Sequence, residues 1–216
     1  MRPAARSILP RRGLLGGGAL ILAAGSAPGR VLAALVPTPP QSEGPFYPPP
    51  KDIDADLVRV TGLDARAMGT VTHVVGRVLD RDGRPVPRAL VEIWQCDANG
   101  RYLHPGDRGR NPRDPAFQGY GRTLTDAGGG YRFRTIRPVP YPGRAPHIHF
   151  KVEAPGLGEL TTQMYVEGEP GNARDFLLNS VRDPAARERL LVELTPAETI
   201  ESGALTGTFD IVLDAR

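Results

Sequence analysis

Residues 70–96 read TVTHVVGRVLDRDGRPVPRALVEIWQC. Val71 to Leu79 is a strand-length run dominated by β-branched residues, and Asp80-Arg81-Asp82-Gly83 supplies the polar and glycine chemistry of a turn ahead of Pro85. Ala89 to Cys96 then alternates up to a second turn at Asp97 to Gly100. The rhythm continues outward: Tyr131 to Ile136 follows Gly128-Gly129-Gly130, and His147 to Glu153, Leu160 to Val166 and Gly207 to Leu213 are further strand-length segments. Six or more such segments predict an all-β protein, a β-sandwich of short, mostly antiparallel strands. A total of 26 Gly and 23 Pro in 216 residues supports a turn-rich single domain over a helical bundle. Asp183-Pro184 predicts a short helix through about Glu193, with Asp as N-cap and Pro in the first turn, and Asn172 to Leu178 is a second helical candidate. Arg101 to Thr123 has no period and many Gly, Pro, Asn and Asp residues, which predicts a long loop of the kind that carries function.

The chain divides into three parts: 1–34, 35–69 and 70–216. The first holds five arginines and no acid, a short Gly/Ala/Leu core from Leu14 to Gly25, and small residues around Ser26 to Ala34. Arg11-Arg12 followed by Gly-Leu-Leu resembles a twin-arginine export signal, so the protein is expected to be exported, to the periplasm or the exterior. The formal charge of +3 comes from that segment, because the rest carries 22 basic against 24 acidic residues. A nucleic-acid partner, which needs basic residues clustered on the folded domain, is therefore not expected. Residues 35–69 are rich in proline and predict an extended arm, pinned through Phe46-Tyr47. The lone Cys96 has no partner for an internal disulfide and reads as a small packed residue.

His147-Ile148-His149 sits in a strand-like segment, so alternation puts both imidazoles on one face with Cα atoms roughly 6.7 Å apart, while Ile148 and Phe150 face the other way. Two imidazoles at that spacing can converge on one metal. Different sets complete the site. Glu153, four residues after His149, would make a two-histidine, one-carboxylate site suited to ferrous iron, and His73 with His104 would make a zinc site. A phenolic set uses Tyr102, at the start of the long loop, and Tyr141, six residues before His147. Free phenols, with a pKa of about 10, are poor ligands at neutral pH, but a trivalent iron can hold them as phenolates.

Gly44-Pro45-Phe46-Tyr47, Val91-Glu92-Ile93-Trp94-Gln95 with Asn99-Gly100-Arg101-Tyr102, Gly121-Arg122-Thr123, Phe133 to Pro138, Tyr141-Pro142 and Pro146 to Phe150 together resemble the intradiol ring-cleavage dioxygenases. Thr161 to Tyr165, Asp183-Pro184 to Leu190 and Phe209 to Leu213 continue a likeness that covers about residues 42 to 214, nearest to the iron-bearing subunits of protocatechuate dioxygenases. The resemblance implies a non-haem Fe(III) held by Tyr102, Tyr141, His147 and His149, with O2 and a catechol-type diol as substrates and a muconate-type diacid as product. It implies that Tyr102 takes up a substrate proton, that Arg144 stabilises developing negative charge, that Gln163 and Trp94 lie near the pocket, and that the protein is a homo-oligomer or is paired with a related subunit. One departure stands out. The link from Tyr141 to His147 is short, with Gly143 where that family carries a bulky aromatic, which predicts a more open pocket. Two rival readings of other classes use the same segments: an exported transthyretin-like binding module without catalysis, and a cupin-like enzyme using His147, His149 and Glu153.

Overall fold

The computed structural model describes residues 34–49 and 54–214. In chain order the strands are β1 (Val71–Leu79), β2 (Leu90–Trp94), β3 (Tyr120–Leu124), β4 (Gly130–Ile136), β5 (His147–Ala154) and β6 (Gly158–Val166). A 3-10 turn at Pro170–Arg174, helices α1 (Phe176–Ser180) and α2 (Pro184–Glu188), and the short strands β7 (Leu191–Val192), β8 (Thr195–Pro196), β9 (Leu205–Thr208) and β10 (Ile211–Val212) complete it. One sheet is built on β1, which pairs antiparallel with β4 and parallel with β9 and β10, and β8 flanks β9. The other runs β3-β2-β5-β6-β7, antiparallel except for the last pair. The all-β class read from the sequence is the observed one, with two mixed sheets.

Period-two alternation puts Val74 and Val78 of β1 and Phe133 of β4 opposite Val91, Ile93, Ile148 and Phe150 of the second sheet, all inaccessible to solvent. Phe150 contacts Phe209 at 4.9 Å between ring centroids, so the C-terminal segment closes the core. Gly76 is required where β1 passes that segment: a Cβ there would lie 2.1 Å from the carbonyl oxygen of Phe209.

The structure adjusts several sequence expectations. The long loop ends earlier than expected, because Tyr120 to Thr123 belongs to β3, whose Gly121 hides the strand pattern: Leu57 packs where a Cβ would stand. The helix opened by Asp183 stops at Glu188, and the chain then turns to place β7 beside β6. Asp183 caps it as expected, accepting from the Ala185 N–H. Asn172 to Leu178 divides between the 3-10 turn and α1, because Asp175 caps a new helix inside it. Gly207 to Leu213 breaks into β9 and β10 where Asp210 accepts from the Arg77 N–H.

The start of the proline-rich segment lies against both sheets, and its residues from Asp54 on form turns and isolated bridges. Leu35 donates to the carbonyl of Arg81, Thr38 to Val212 and Gln41 to Thr161. The export-signal expectation falls, apart from Ala34, outside the described residues.

Candidate metal centre

The outer face of the second sheet carries the site. The register sets His149 opposite Trp94 on one side and Gln163 on the other, and His147 opposite Tyr165. Residues paired across antiparallel strands share a face, so Ile148 and Phe150 fill the core while these five side chains face away from it. That face is nonetheless buried, with His147 and His149 at 1% and 3% exposure, because other segments roof it. Phe46 stacks on Tyr102 at 4.9 Å, Tyr47 packs edge-on against Trp94 at 5.0 Å, and a Cβ at Gly44 would stand 3.5 Å from the His149 ring. Phe46 and Tyr47 thus pin the arm over Tyr102 and Trp94, the neighbours of the histidines.

Tyr102 enters from the long loop. The Asp97 carboxylate accepts from the N–H groups of Asn99 and Arg101, and Asp107 accepts from the Tyr102 N–H, which fixes the turn that delivers the phenol. Its hydroxyl lies 3.4 Å from His147 Nε2, and that nitrogen lies 3.2 Å from His149 Nε2. Tyr141 meets both partners, with ring centroids 5.5 Å from Tyr102 and 5.4 Å from His147. His147 donates from Nδ1 to the Ala145 carbonyl at 2.6 Å, which leaves the Nε2 lone pair free, the tautomer of a metal-bound imidazole. Trp94 stacks on His149 at 4.7 Å and 8°, fixing that ring's plane, while His149 Nδ1 is buried with no hydrogen-bond partner among the described residues.

Burial drives all four groups neutral. It pushes His147 down to about 4 with help from the Arg144 charge, and His149 well below its ordinary value with help from His147. It raises the phenols of Tyr102 and Tyr141, and Arg144 opposes the rise most at Tyr141. Bonds of about 2.1 Å to a first-row metal place neighbouring donor atoms roughly 3.0–3.4 Å apart, and the two Nε2 atoms at 3.2 Å and the Oη–Nε2 pair at 3.4 Å fall in that range. Two neutral imidazoles and two phenols that only a strong cation ionises are a donor set that fits ferric iron.

Arg144 sits at the edge of this cluster, with Nη1 3.4 Å from the Tyr141 hydroxyl. Its Nε donates to Asp175 at 2.8 Å, and Nη2 donates to Gln163 at 2.5 Å and to Tyr165 at 3.0 Å. Gln163 also donates to the Ser42 carbonyl at 2.8 Å, so it ties the cation to the arm. Burial works to raise the Asp175 carboxyl, but backbone N–H groups and the Arg144 charge outweigh it and hold the pKa below the ordinary value. Tyr165 and Asp175 are not expected at the site from the sequence, which gives one only as the end of a matching run and the other only inside a helical candidate. Two-residue alternation from Gln163 points to Tyr165, whereas Asp175 signals only a helix cap.

The other ligand sets do not assemble. Glu153 is exposed and lies four residues along β5 from His149, roughly 13 Å away at the strand rise. His73 sits on the other sheet between Glu201 and Arg132, and His104 packs at 5.8 Å from Phe46 outside the cluster. Among the described residues no three His, Cys, Asp or Glu side chains gather as a metal site, so the phenols are needed. Cys96 is buried beside Trp94, Tyr102 and Tyr120 as a packed residue.

Fold and site define a class: a β-sandwich protein with a buried cluster of two tyrosines and two histidines on the outer face of one sheet. Residues 42–215 match the model of a dioxygenase family. The beta chain of protocatechuate 3,4-dioxygenase from Burkholderia cepacia is 43% identical over 172 residues, 76% of this chain and 73% of that one. Catechol 1,2-dioxygenase of Acinetobacter baylyi is 33% identical over 202 residues, and this chain spans 61% of its length. Among solved structures, the dioxygenase domain of a carbohydrate-binding fusion protein from Streptomyces sp. SirexAA-E is 36% identical, with a TM-score of 0.66 over 84% of this chain and all of that one. The chain belongs to the intradiol dioxygenase family of ring-cleaving oxidoreductases. Membership favours an enzyme over the binding-module alternative.

Proposed function

We propose that this chain is a non-haem Fe(III) intradiol dioxygenase that cleaves a catechol-type ring between its two hydroxyls with O2, giving a muconate-type diacid in aromatic catabolism. The observation that carries the reading is the convergence of Tyr102, Tyr141, His147 and His149 in one buried cluster with Arg144 at its edge. These four residues would hold the iron, which when bound would supply the withdrawal of charge from the diol that opens its ring to O2.

The chain's own residues do the rest. Tyr102 is the deeper of the two phenols and the one less affected by Arg144, so it retains a proton more strongly and suits uptake of a proton from the incoming diol at its Oη. Arg144, locked by Asp175, Gln163 and Tyr165, is a fixed and mostly buried cation beside the cluster, suited to charge that develops on the ring. Gln163 acts by positioning Arg144. The roof of Gly44, Phe46 and Tyr47 excludes water from above His149 and Tyr102.

The reading includes export through the leader with Arg11-Arg12, and assembly as a homo-oligomer or with a related subunit. Replacing Arg11-Arg12 by Lys-Lys should retain the protein in the cytoplasm. The catalytic test is a visible spectrum of protein with one iron per chain, recorded before and after anaerobic addition of catechol or protocatechuate, followed by oxygen uptake and product analysis. A tyrosinate-to-iron band that shifts with the diol and weakens in Tyr102→Phe is expected. A folded, iron-loaded protein that cleaves no catechol between its hydroxyls overturns the reading.

A further inference from the structure

A cavity of about 540 Å³ opens beside the cluster, within the size range of small-molecule pockets. Its lining comes from the turn after Tyr141, contributing Gly143 and Arg144, and from the 3-10 turn, contributing Pro170, Gly171 and Arg174. None of Tyr102, Tyr141, His147 or His149 lines it, but Arg144 does, and the Arg144 guanidinium is 3.4 Å from the Tyr141 hydroxyl. The cavity therefore begins one side chain away from the cluster. Gly143 keeps it open: its φ is +82°, and no atom lies within 4 Å of the point where a Cβ would stand, so the space a side chain would take is free.

The charges in its wall are unevenly paired. Asp175 is bound to Arg144 at 2.8 Å, and Glu169 is bound to Arg137. Arg174 is exposed and makes no ion pair among the described residues. Arg144 has little left for an anion in the cavity: its Nε donates to Asp175, Nη2 to Gln163 and Tyr165, and Nη1 to Tyr141, so four of its five N–H groups are already used. Arg174 is thus the charge of the wall left without an ion-pair partner among the described residues, in a space whose uncharged lining is proline, glycine and alanine.

We propose that this cavity is a subsite for the substituent of the diol, and that it takes a carboxylate carried on a short carbon chain and paired by Arg174. The inference rests on the ring-cleavage reading above and extends it to the substrate class. A carboxylate bonded directly to the ring would meet the committed Arg144, whereas a spacer carries the charge across to Arg174.

The test is isothermal titration of the full, iron-loaded chain under nitrogen with catechol, 3-(3,4-dihydroxyphenyl)propanoate and the uncharged methyl ester of that acid. The acid should bind about fivefold more tightly than the ester, the size of a partly exposed ion pair. Arg174→Glu should abolish or reverse that preference, Arg174→Lys should keep most of it, and catechol should stay within twofold in both. Acid and ester binding alike to the wild type, or Arg174→Glu weakening catechol as much as the acid, overturns the subsite. Because binding is read without turnover, an Arg174-dependent preference in a protein that cleaves no catechol keeps the subsite and refutes the ring-cleavage reading instead.

Discussion

Asp175→Asn isolates the residue on which the Arg144 side of the site hangs. Each oxygen of this buried carboxylate accepts two hydrogen bonds: Oδ1 from the N–H groups of Leu177 at 3.1 Å and Leu178 at 3.0 Å, Oδ2 from Ala145 N and Arg144 Nε, both at 2.8 Å. An amide offers one oxygen and one NH2, so either orientation turns an acceptor of two bonds into a donor facing two donors. Two lost bonds cost about 1 kcal/mol each, and a buried cation stripped of its partner costs about 3–5 kcal/mol. These overlap, and about 4 kcal/mol is the expected loss, a fall in Tm of roughly 8–16 °C for a chain of this size. Because the carboxyl is held below its ordinary pKa, the contribution is present at neutral pH and is lost as pH falls below about 4, so the gap between wild type and variant should narrow there. Urea unfolding at pH 7 and pH 3.5 measures both effects. Asp183→Asn is the control, since Asp183 is an exposed cap accepting from Ala185 alone, and about 1 kcal/mol or less is expected there. If Asp175→Asn costs no more than Asp183→Asn, the argument that this carboxylate organises the site is wrong.

Gly76→Ala should destabilise the fold by about 3 kcal/mol or more in chemical denaturation, because the new methyl would have to displace the Phe209 backbone. A loss below 1 kcal/mol would mean the C-terminal segment is free to move. Glu201→Gln should lose about 1–2 kcal/mol at pH 7: hydrogen bonds from Arg134 come first among the causes that lower this carboxyl to about 2, and a quarter-exposed side chain is discounted for solvent screening. Its stabilisation is present above about pH 4.5 and disappears as pH falls towards 2, so equal stabilities at pH 7 would refute it. Phe46→Ala should cost about 1–2 kcal/mol in the same assay and raise KM for the diol, since the ring both stacks on Tyr102 and roofs it. An unchanged KM would remove the arm from the site.

What the sequence reveals here depends on how local the determining contacts are. β1 was legible to the residue because its period and its flanking turn are both local. So was the outward face of β5, since alternation alone separates His147 and His149 from Ile148 and Phe150. β3 was not, because its Gly121 is explained only by Leu57, some sixty residues earlier. The end of the Asp183 helix is likewise set by β7 pairing with β6, a contact with no signal in the helix itself. Residue types alone left three ligand sets open, and the resemblance pointed to the phenols. The structure separates the sets by distance, drawing Tyr102 and Tyr141 to the histidines and leaving Glu153 at the far end of the strand.

The placement of the site outside the sandwich follows from the same electrostatics that shape its chemistry. Inside the core, Ile148 and Phe150 face only apolar neighbours, and a cluster of imidazoles and phenols there would lack any route for a polar substrate. On the outer face the arm and the long loop supply burial without sealing the edge, so Arg144 can sit between the cluster and an open cavity. Burial moves the phenol pKa values up and the imidazole values down, which leaves four neutral groups and no charge to solvate until a cation arrives. A strong cation would reverse the sign for the phenols alone. Arg144 opposes the rise most at Tyr141, so the two phenols differ before any ligand binds, an asymmetry that suits the proposed division of work, with Tyr141 holding charge and Tyr102 accepting a proton.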